Sequence, residues 1–91
     1  MAKRKERVSK VIDGDTFRTK SRSKHSVRLA NVDAPEKGTP GAAKATKALQ
    51  KLIGGQEVKI KSVARDRYGR TVANVTVGGK SVNKAMKNKL K

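Results

Sequence analysis

Cysteine and tryptophan are absent from this 91-residue chain, proline occurs twice, and Phe17 and Tyr68 are the only aromatics. Without cysteine there is no disulfide to support a small fold, no thiolate to bind a metal and no redox couple. A core must therefore be built mainly from Val, Leu, Ile and Ala, and apolar residues amount to only 34%. No apolar run approaches the length of a membrane span. The basic start, "MAKRKERVSK", has no apolar stretch behind it of the kind an export signal needs. The expectation is a chain without a membrane partner and with a cytoplasmic location, unless the sequence is a processed mature form. Its length suits one domain, 1–91, with residues 1–6 as a flexible basic N-terminus.

Negative charge is also scarce. Seven acids stand against 24 Lys and Arg, for a formal net charge of +17. Such an excess implies a polyanionic partner, with nucleic acid first and an anionic membrane surface second. The cations are spread along the chain rather than gathered in one amphipathic basic helix, which weighs against the membrane. Charge gives a class of partner but no chemistry.

Hydrophobic periodicity organises the chain into short elements. "RVSKVIDGDTFRTK" alternates through Val8, Lys10 and Ile12, then Thr16 and Arg18, around Asp13-Gly14. That pair predicts a hairpin with a type I′ turn, whose central residues need positive φ. "SVRLANV" places Val27 and Leu29 on one face, with Asn31 next in phase, and Arg28, Ala30 and Val32 on the other. After the Pro- and Gly-rich "DAPEKGTPG", Thr39 as N-cap and Pro40 at the first position predict a helix over about 41–53, with a stripe of Ala45, Ala48, Leu49, Leu52 and Ile53. "EVKIKSVA" returns to period two through Val58 and Ile60, with Ser62 next. "TVANVTV" follows with Ala73, Val75 and Val77 opposite Val72, Asn74 and Thr76. "SVNKAMKNKL" predicts a short second helix through Val82, Ala85, Met86 and Leu90. The order β-β-β-α-β-β-α suggests a mainly β, α+β fold: a five-stranded closed barrel of the oligonucleotide/oligosaccharide-binding (OB) type with two packed helices.

Five of the seven acids fall in three loop-edge motifs: "IDGDT" with Asp13 and Asp15, "VDAPE" with Asp33 and Glu36, and "RDRYGR" with Asp66. In a protein that attracts phosphate, carboxylates near the polyanion reduce affinity, so they need another use: binding a cation or moving a proton. A hard cation such as Ca²⁺ takes about six to eight oxygens from carboxylates, backbone carbonyls and waters. Asp15 and Asp33 suit that role by position, and Asp13 suits either ligation or orienting a bound water. Glu36, beyond a stiffening proline, is placed to activate water as a general base. Arg28 and Arg70 lie beside the acid motifs, and guanidinium forks match the oxygens of a phosphoryl group. Tyr68, beside Arg67, is either a core residue or a platform for a base. His25, in a polar turn, is assigned no role.

Together, and in this order, "VIDGDTF", "VRLANVDAPE", "DRYGR" and "GGKSVNKAM" resemble the landmarks of the staphylococcal (micrococcal) nuclease family, from Val8 almost to the end. The resemblance implies an OB-type barrel and a Ca²⁺-dependent endonuclease that cuts DNA and RNA at the bond to the 5′ oxygen, leaving 3′-phosphates. It implies that Asp15, Asp33 and the backbone carbonyl of Ala34 hold Ca²⁺, with Asp13 behind them. It further implies Glu36 as general base, Arg28 and Arg70 on the scissile phosphate, and Arg67 and Tyr68 near the substrate. Single-stranded nucleic acid is the preferred partner and a monomer the expected state. The chain departs from the family pattern in ending near the second helix, in a short loop after Glu36, and in its few aromatics. The alternatives are a catalytically silent nucleic-acid-binding barrel, separated by the intact set Asp15, Arg28, Asp33, Glu36 and Arg70, and a basic protein that compacts DNA, which leaves the acid clustering unexplained.

Overall fold

The structure, a computed structural model, describes residues 5–21, 25–35 and 38–89. Six strands and two helices follow one another: β1 (Lys5–Asp13), β2 (Thr16–Thr19), β3 (Val27–Leu29), α1 (Ala42–Ile53), β4 (Glu57–Arg65), β5 (Thr71–Val77), β6 (Lys80–Ser81) and α2 (Val82–Lys89). The sheet runs β3-β2-β1-β4-β5-β6, and an additional parallel pairing of β3 with β5 closes the first five strands into a ring. This is the OB-type barrel expected from the sequence. The two-residue strand β6 was not expected; it forms a hairpin with β5 across Gly78 and Gly79, both at positive φ.

Inside the ring, Val8, Val11, Phe17, Val27, Leu29, Val58, Ile60, Ala73 and Val75 pack together. Leu49 and Ile53 from α1 and Val82 and Met86 from α2 close the core. Apolar burial of these aliphatic side chains is the main favourable contribution available to so small a domain.

Several sequence expectations shift by a residue, each for a visible reason. In β1 the buried apolar positions are Val8 and Val11, out of step with the Val8–Lys10–Ile12 alternation, because register shifts against β2 move the phase between Val8 and Lys10. Lys5 and Glu6, read from sequence as part of the N-terminal arm, pair with Lys59 and Val58 of β4. Glu6 is buried and accepts hydrogen bonds from the Thr19 and Ser21 hydroxyls at 2.9 and 2.7 Å. In β4, burial stops after Ile60: a register shift between Ser62 and Ala64 leaves Ser62 and Val63 exposed.

After β3, Asn31 adopts φ 60°, a left-handed conformation that Asn tolerates better than most residues. The chain turns there, so Asn31 points to solvent while Ala30 and Val32 are both buried. The expected Thr39 cap is replaced by a turn. Gly41, at φ 87° and ψ −12°, occupies the helix boundary, and the Ala42 amide donates to the Thr39 carbonyl at 3.2 Å. Pro40 followed by a left-handed Gly41 is the residue pair a type II turn requires. The second helix is described to Lys89; Leu90 lies outside the described residues.

Candidate functional site

The β1–β2 turn is organised by its own acids. The Asp13 Oδ1 accepts the Asp15 amide at 3.1 Å, a side-chain mimic of a backbone turn. Gly14 is not in the left-handed region, so the type I′ reading does not hold. The glycine is required for a different reason. A Cβ built there would lie 2.6 Å from the Ala45 Cβ of α1 and 2.8 Å from the Ala34 Cβ. Its absence lets the turn seat against both the helix and the loop that carries Asp33.

Asp15 is consequently buried, at 8% exposure. Its Oδ1 accepts the Thr16 hydroxyl at 2.9 Å, its Oδ2 accepts the Ala34 amide at 3.3 Å, and its carbonyl accepts the Leu29 amide at 2.8 Å. Burial pushes its carboxyl above the ordinary range and the neighbouring Asp13 side chain adds to that, while the Ala34 amide and Thr16 hydroxyl pull it back. One acid thus joins the β1–β2 turn, β3 and the following loop.

Arg28 brings the second acid in. Its Nη2 donates to the Asp33 Oδ1 at 3.0 Å and to the Val32 carbonyl at 3.2 Å, and it lies 3.6 Å from the Asp15 Oδ2. Its other guanidinium nitrogens, Nε and Nη1, have no hydrogen-bond partner among the described residues. Asp33 itself is almost fully exposed, its side chain at 96%. Arg28, Asp15, Asp33 and Ala34, all named from the sequence, therefore converge. Glu36 lies outside the described residues.

Arg70 belongs to a second cluster on the β4–β5 turn. The Asp66 Oδ1 accepts the Tyr68 and Arg70 amides, both at 2.9 Å, and its Oδ2 accepts the Arg70 Nε. Burial alone would raise the Asp66 carboxyl, but the amide and guanidinium hydrogen bonds from Arg70, the Tyr68 amide and the Arg70 charge outweigh it. The carboxyl lies below its ordinary value of 3.8. The Arg70 guanidinium also stacks over the Tyr68 ring, 5.3 Å from its centroid, and Tyr68 is 74% exposed. This exposure removes the core reading of Tyr68. Arg67 is exposed on the same turn.

The parallel β3–β5 pairing relates the two clusters. Arg28 is opposite Val72, and the Thr71 amide donates to the Ser26 carbonyl at 3.0 Å. Arg70 directly precedes β5, so the turn that carries it leads into the strand paired with β3. Arg28 is half-buried on β3, and Arg70 is half-buried at the end of the β4–β5 turn.

The donor chemistry at Asp15 and Asp33 suits a hard cation, being carboxylate oxygen beside backbone carbonyls. Among the described residues no three His, Cys, Asp or Glu side chains gather closely enough to form a cation site on their own. Backbone oxygens, waters and a substrate phosphate would have to complete one.

Sequence reasoning missed Thr16, whose buried hydroxyl supports Asp15, and Asn83, whose role is structural. The Asn83 Oδ1 accepts the Val75 amide at 2.8 Å, and its Nδ2 donates to the Ala30 and Ala73 carbonyls at 2.9 and 3.0 Å. It ties α2 to β5 and to the loop that follows Arg28. A lone Asn in an otherwise apolar helix face was the available signal.

A closed OB-type barrel that brings Asp15, Asp33 and Arg28 together defines a class by its fold and its cluster of charges. The particular family follows from comparison with known proteins: residues 26–89 match the family described as Staphylococcal nuclease homologue, and the chain belongs to it. A protein of Escherichia coli O157:H7 named "Uncharacterized endonuclease" is 39% identical over 82 residues, which are 88% of this chain and 54% of that protein. A Haemophilus influenzae protein of the same name is 39% identical over 88% of this chain and 46% of its own length. A Shigella flexneri protein named "Micrococcal nuclease" is 41% identical over 75% of this chain and 40% of its own. The chain spans about half the length of the curated relatives it matches.

Proposed function

We propose that this domain is a Ca²⁺-dependent phosphodiesterase acting as an endonuclease on DNA and RNA, with a preference for single strands. The observation that carries the reading is the convergence of Asp15 and Asp33 on Arg28, whose Nε and Nη1 have no hydrogen-bond partner among the described residues. A silent binding barrel would have no need to bury an acid beside an arginine at the cost of phosphate affinity. The nuclease names of relatives point the same way.

In this reading Asp15, Asp33 and the Ala34 carbonyl hold Ca²⁺, and Asp13 fixes the turn that presents Asp15. The ion, when bound, supplies concentrated positive charge against the phosphate oxygens. Arg28 uses its uncommitted donors on the scissile phosphate, and Arg70, held by Asp66, approaches from the start of β5. Charge that builds on the equatorial oxygens is met by both guanidinium groups. Glu36 takes a proton from the attacking water. The new P–O bond forms as the bond to the 5′ oxygen breaks, and that oxygen takes a proton from solvent water as it leaves, giving a 3′-phosphate and a 5′-hydroxyl. Tyr68 and Arg67 contact the neighbouring nucleotide, with the exposed ring as a stacking surface.

The test is digestion of heat-denatured DNA and of RNA with Ca²⁺ or with EGTA, followed by analysis of the product ends. Ca²⁺-dependent fragments ending in 3′-phosphate are expected from both. Tight, salt-sensitive binding without fragments would replace this reading with the silent barrel.

A further inference from the structure

The helical side of the molecule carries charges that the site does not use. Lys44, Lys47 and Lys51 are exposed along α1 at positions that share one helical face, and Lys89 of α2 faces the same space. Neither α1 nor α2 contains an acid. Lys44–Lys47 and Lys47–Lys51 are like-charge neighbours at three- and four-residue spacing, an arrangement that weakens an isolated helix. Lys44 also sits in the first turn of α1, where the helix dipole disfavours a cation. None of the four lysines has an ion-pair partner among the described residues.

These lysines rim a depression. A hollow of about 440 Å³ is lined by Ala43, Lys44, Lys47, Ala48, Lys51 and Lys89. A neighbouring hollow of about 290 Å³ shares Lys44, Ala48 and Lys89 with it and adds Pro35, Gly41 and Ala45. Pro35 directly follows Ala34, whose amide binds Asp15, and Ala45 is the residue against which Gly14 seats. The groove therefore begins at the loop of the candidate site and runs along α1 between alanines and lysines. From Lys44 to Lys51 it extends about 10 Å at the helical rise.

We infer that this groove is a track for the phosphodiester backbone of a single strand extending beyond the scissile site, with Lys44, Lys47, Lys51 and Lys89 each meeting phosphate. The inference rests on the nucleic-acid reading of the domain but not on catalysis. Charge complementarity selects the occupant: a concave surface with four unpaired cations and no acid in either helix matches a polyanionic chain. The alanine floor lets the backbone approach closely. The groove makes affinity depend on strand length, because a short oligonucleotide fills the site without reaching Lys51.

The test compares the wild type with two variants of equal charge. One replaces Lys44, Lys47, Lys51 and Lys89 with Gln; the other replaces Lys5, Lys59, Lys61 and Lys80, exposed on β1, β4 and β6 and outside the groove lining, with Gln. Melting curves establish that both fold. Binding of labelled oligothymidylates of four and twenty nucleotides is measured by anisotropy in EGTA across a salt series, and Ca²⁺-dependent cleavage of the wild type is measured separately. The groove variant is expected to lose at least tenfold in affinity for the twenty-mer. Its log–log salt slope should fall by up to about 2.8, at about 0.7 per phosphate contact. The sheet variant should lose much less. Equal losses in the two variants would overturn the groove as a track, as would an equal loss for the four-mer. Lysine-dependent binding to phosphatidylserine vesicles with none to the twenty-mer would do the same. A wild type that binds through these lysines yet cleaves nothing would uphold the groove and sink the nuclease reading instead.

Discussion

The acid-bearing rim of the barrel and its helical side solve opposite problems. On the rim, each described acid is tied to specific donors: Asp13 to the Asp15 amide, Asp15 to Thr16 and Ala34, Asp33 to Arg28, and Asp66 to Tyr68 and Arg70. On the helical side, apolar stripes fix α1 and α2 against the core, and the helix lysines have no ion-pair partner among the described residues. A rim tied in this way holds its charges in fixed positions, as chemistry requires. A side with free cations provides attraction without geometry, which suffices for affinity. Substitutions of rim charges should therefore act first on rate, and those of the helix lysines on affinity.

The largest expected effect breaks the rim at Arg28. Arg28→Lys keeps the charge but cannot bridge Asp33 and Asp15 while also offering a fork to phosphate. Cleavage should fall by about two orders of magnitude or more, with melting temperature little changed; a drop below threefold would remove Arg28 from the reaction. Next is Asn83→Ala, which strips partners from the Val75 amide and the Ala30 and Ala73 carbonyls. Denaturant unfolding should show a loss of about 2–3 kcal/mol, and a loss under 0.5 kcal/mol would mean these groups find water instead.

Gly14→Ala forces a methyl into Ala45 and Ala34. We expect destabilisation of about 1–3 kcal/mol, together with reduced cleavage as the Asp15 turn lifts from α1. An unchanged melting temperature would show that the contact is not tight. The smallest effect sharpens the contrast through pH. Asp66 has a carboxyl held below 3.8, so its contribution to stability is present above that value and is lost as pH falls through the lower folded value. Asp66→Asn should lower stability by roughly 1 kcal/mol at pH 7, with the difference from wild type shrinking in acid below 3.8. A difference that grows in acid would contradict the assigned direction.

The closed ring, its element order and both helices were legible because the strands keep period two where they line the core and α1 keeps a clean apolar stripe. The misread positions are those where backbone irregularity overrides pattern. The phase of β1 depends on its register shift against β2, and that of β4 on the shift near Val63. The fate of Val32 depends on the left-handed Asn31. Gly14 was read as a conformational glycine when its role is steric, a distinction that needs the partner element in view. At the site, the acids of "IDGDT" and "VDAPE" stood out in the sequence because negative charge is scarce and grouped. That Arg28 would be the bridge between them was not legible, because the five-residue reach from Arg28 to Asp33 exists only once the chain turns at Asn31.

The central claim is that this cluster hydrolyses phosphodiesters with Glu36 as the base. The most direct measurement sets wild type beside Glu36→Gln on heat-denatured DNA in Ca²⁺, following both cleavage and binding. The account predicts wild-type cleavage that EGTA abolishes, and a variant that binds the strand with near-normal affinity while turning over about 10²–10⁴-fold more slowly. Cleavage by the variant at the wild-type rate, or none by the wild type in Ca²⁺, would contradict it.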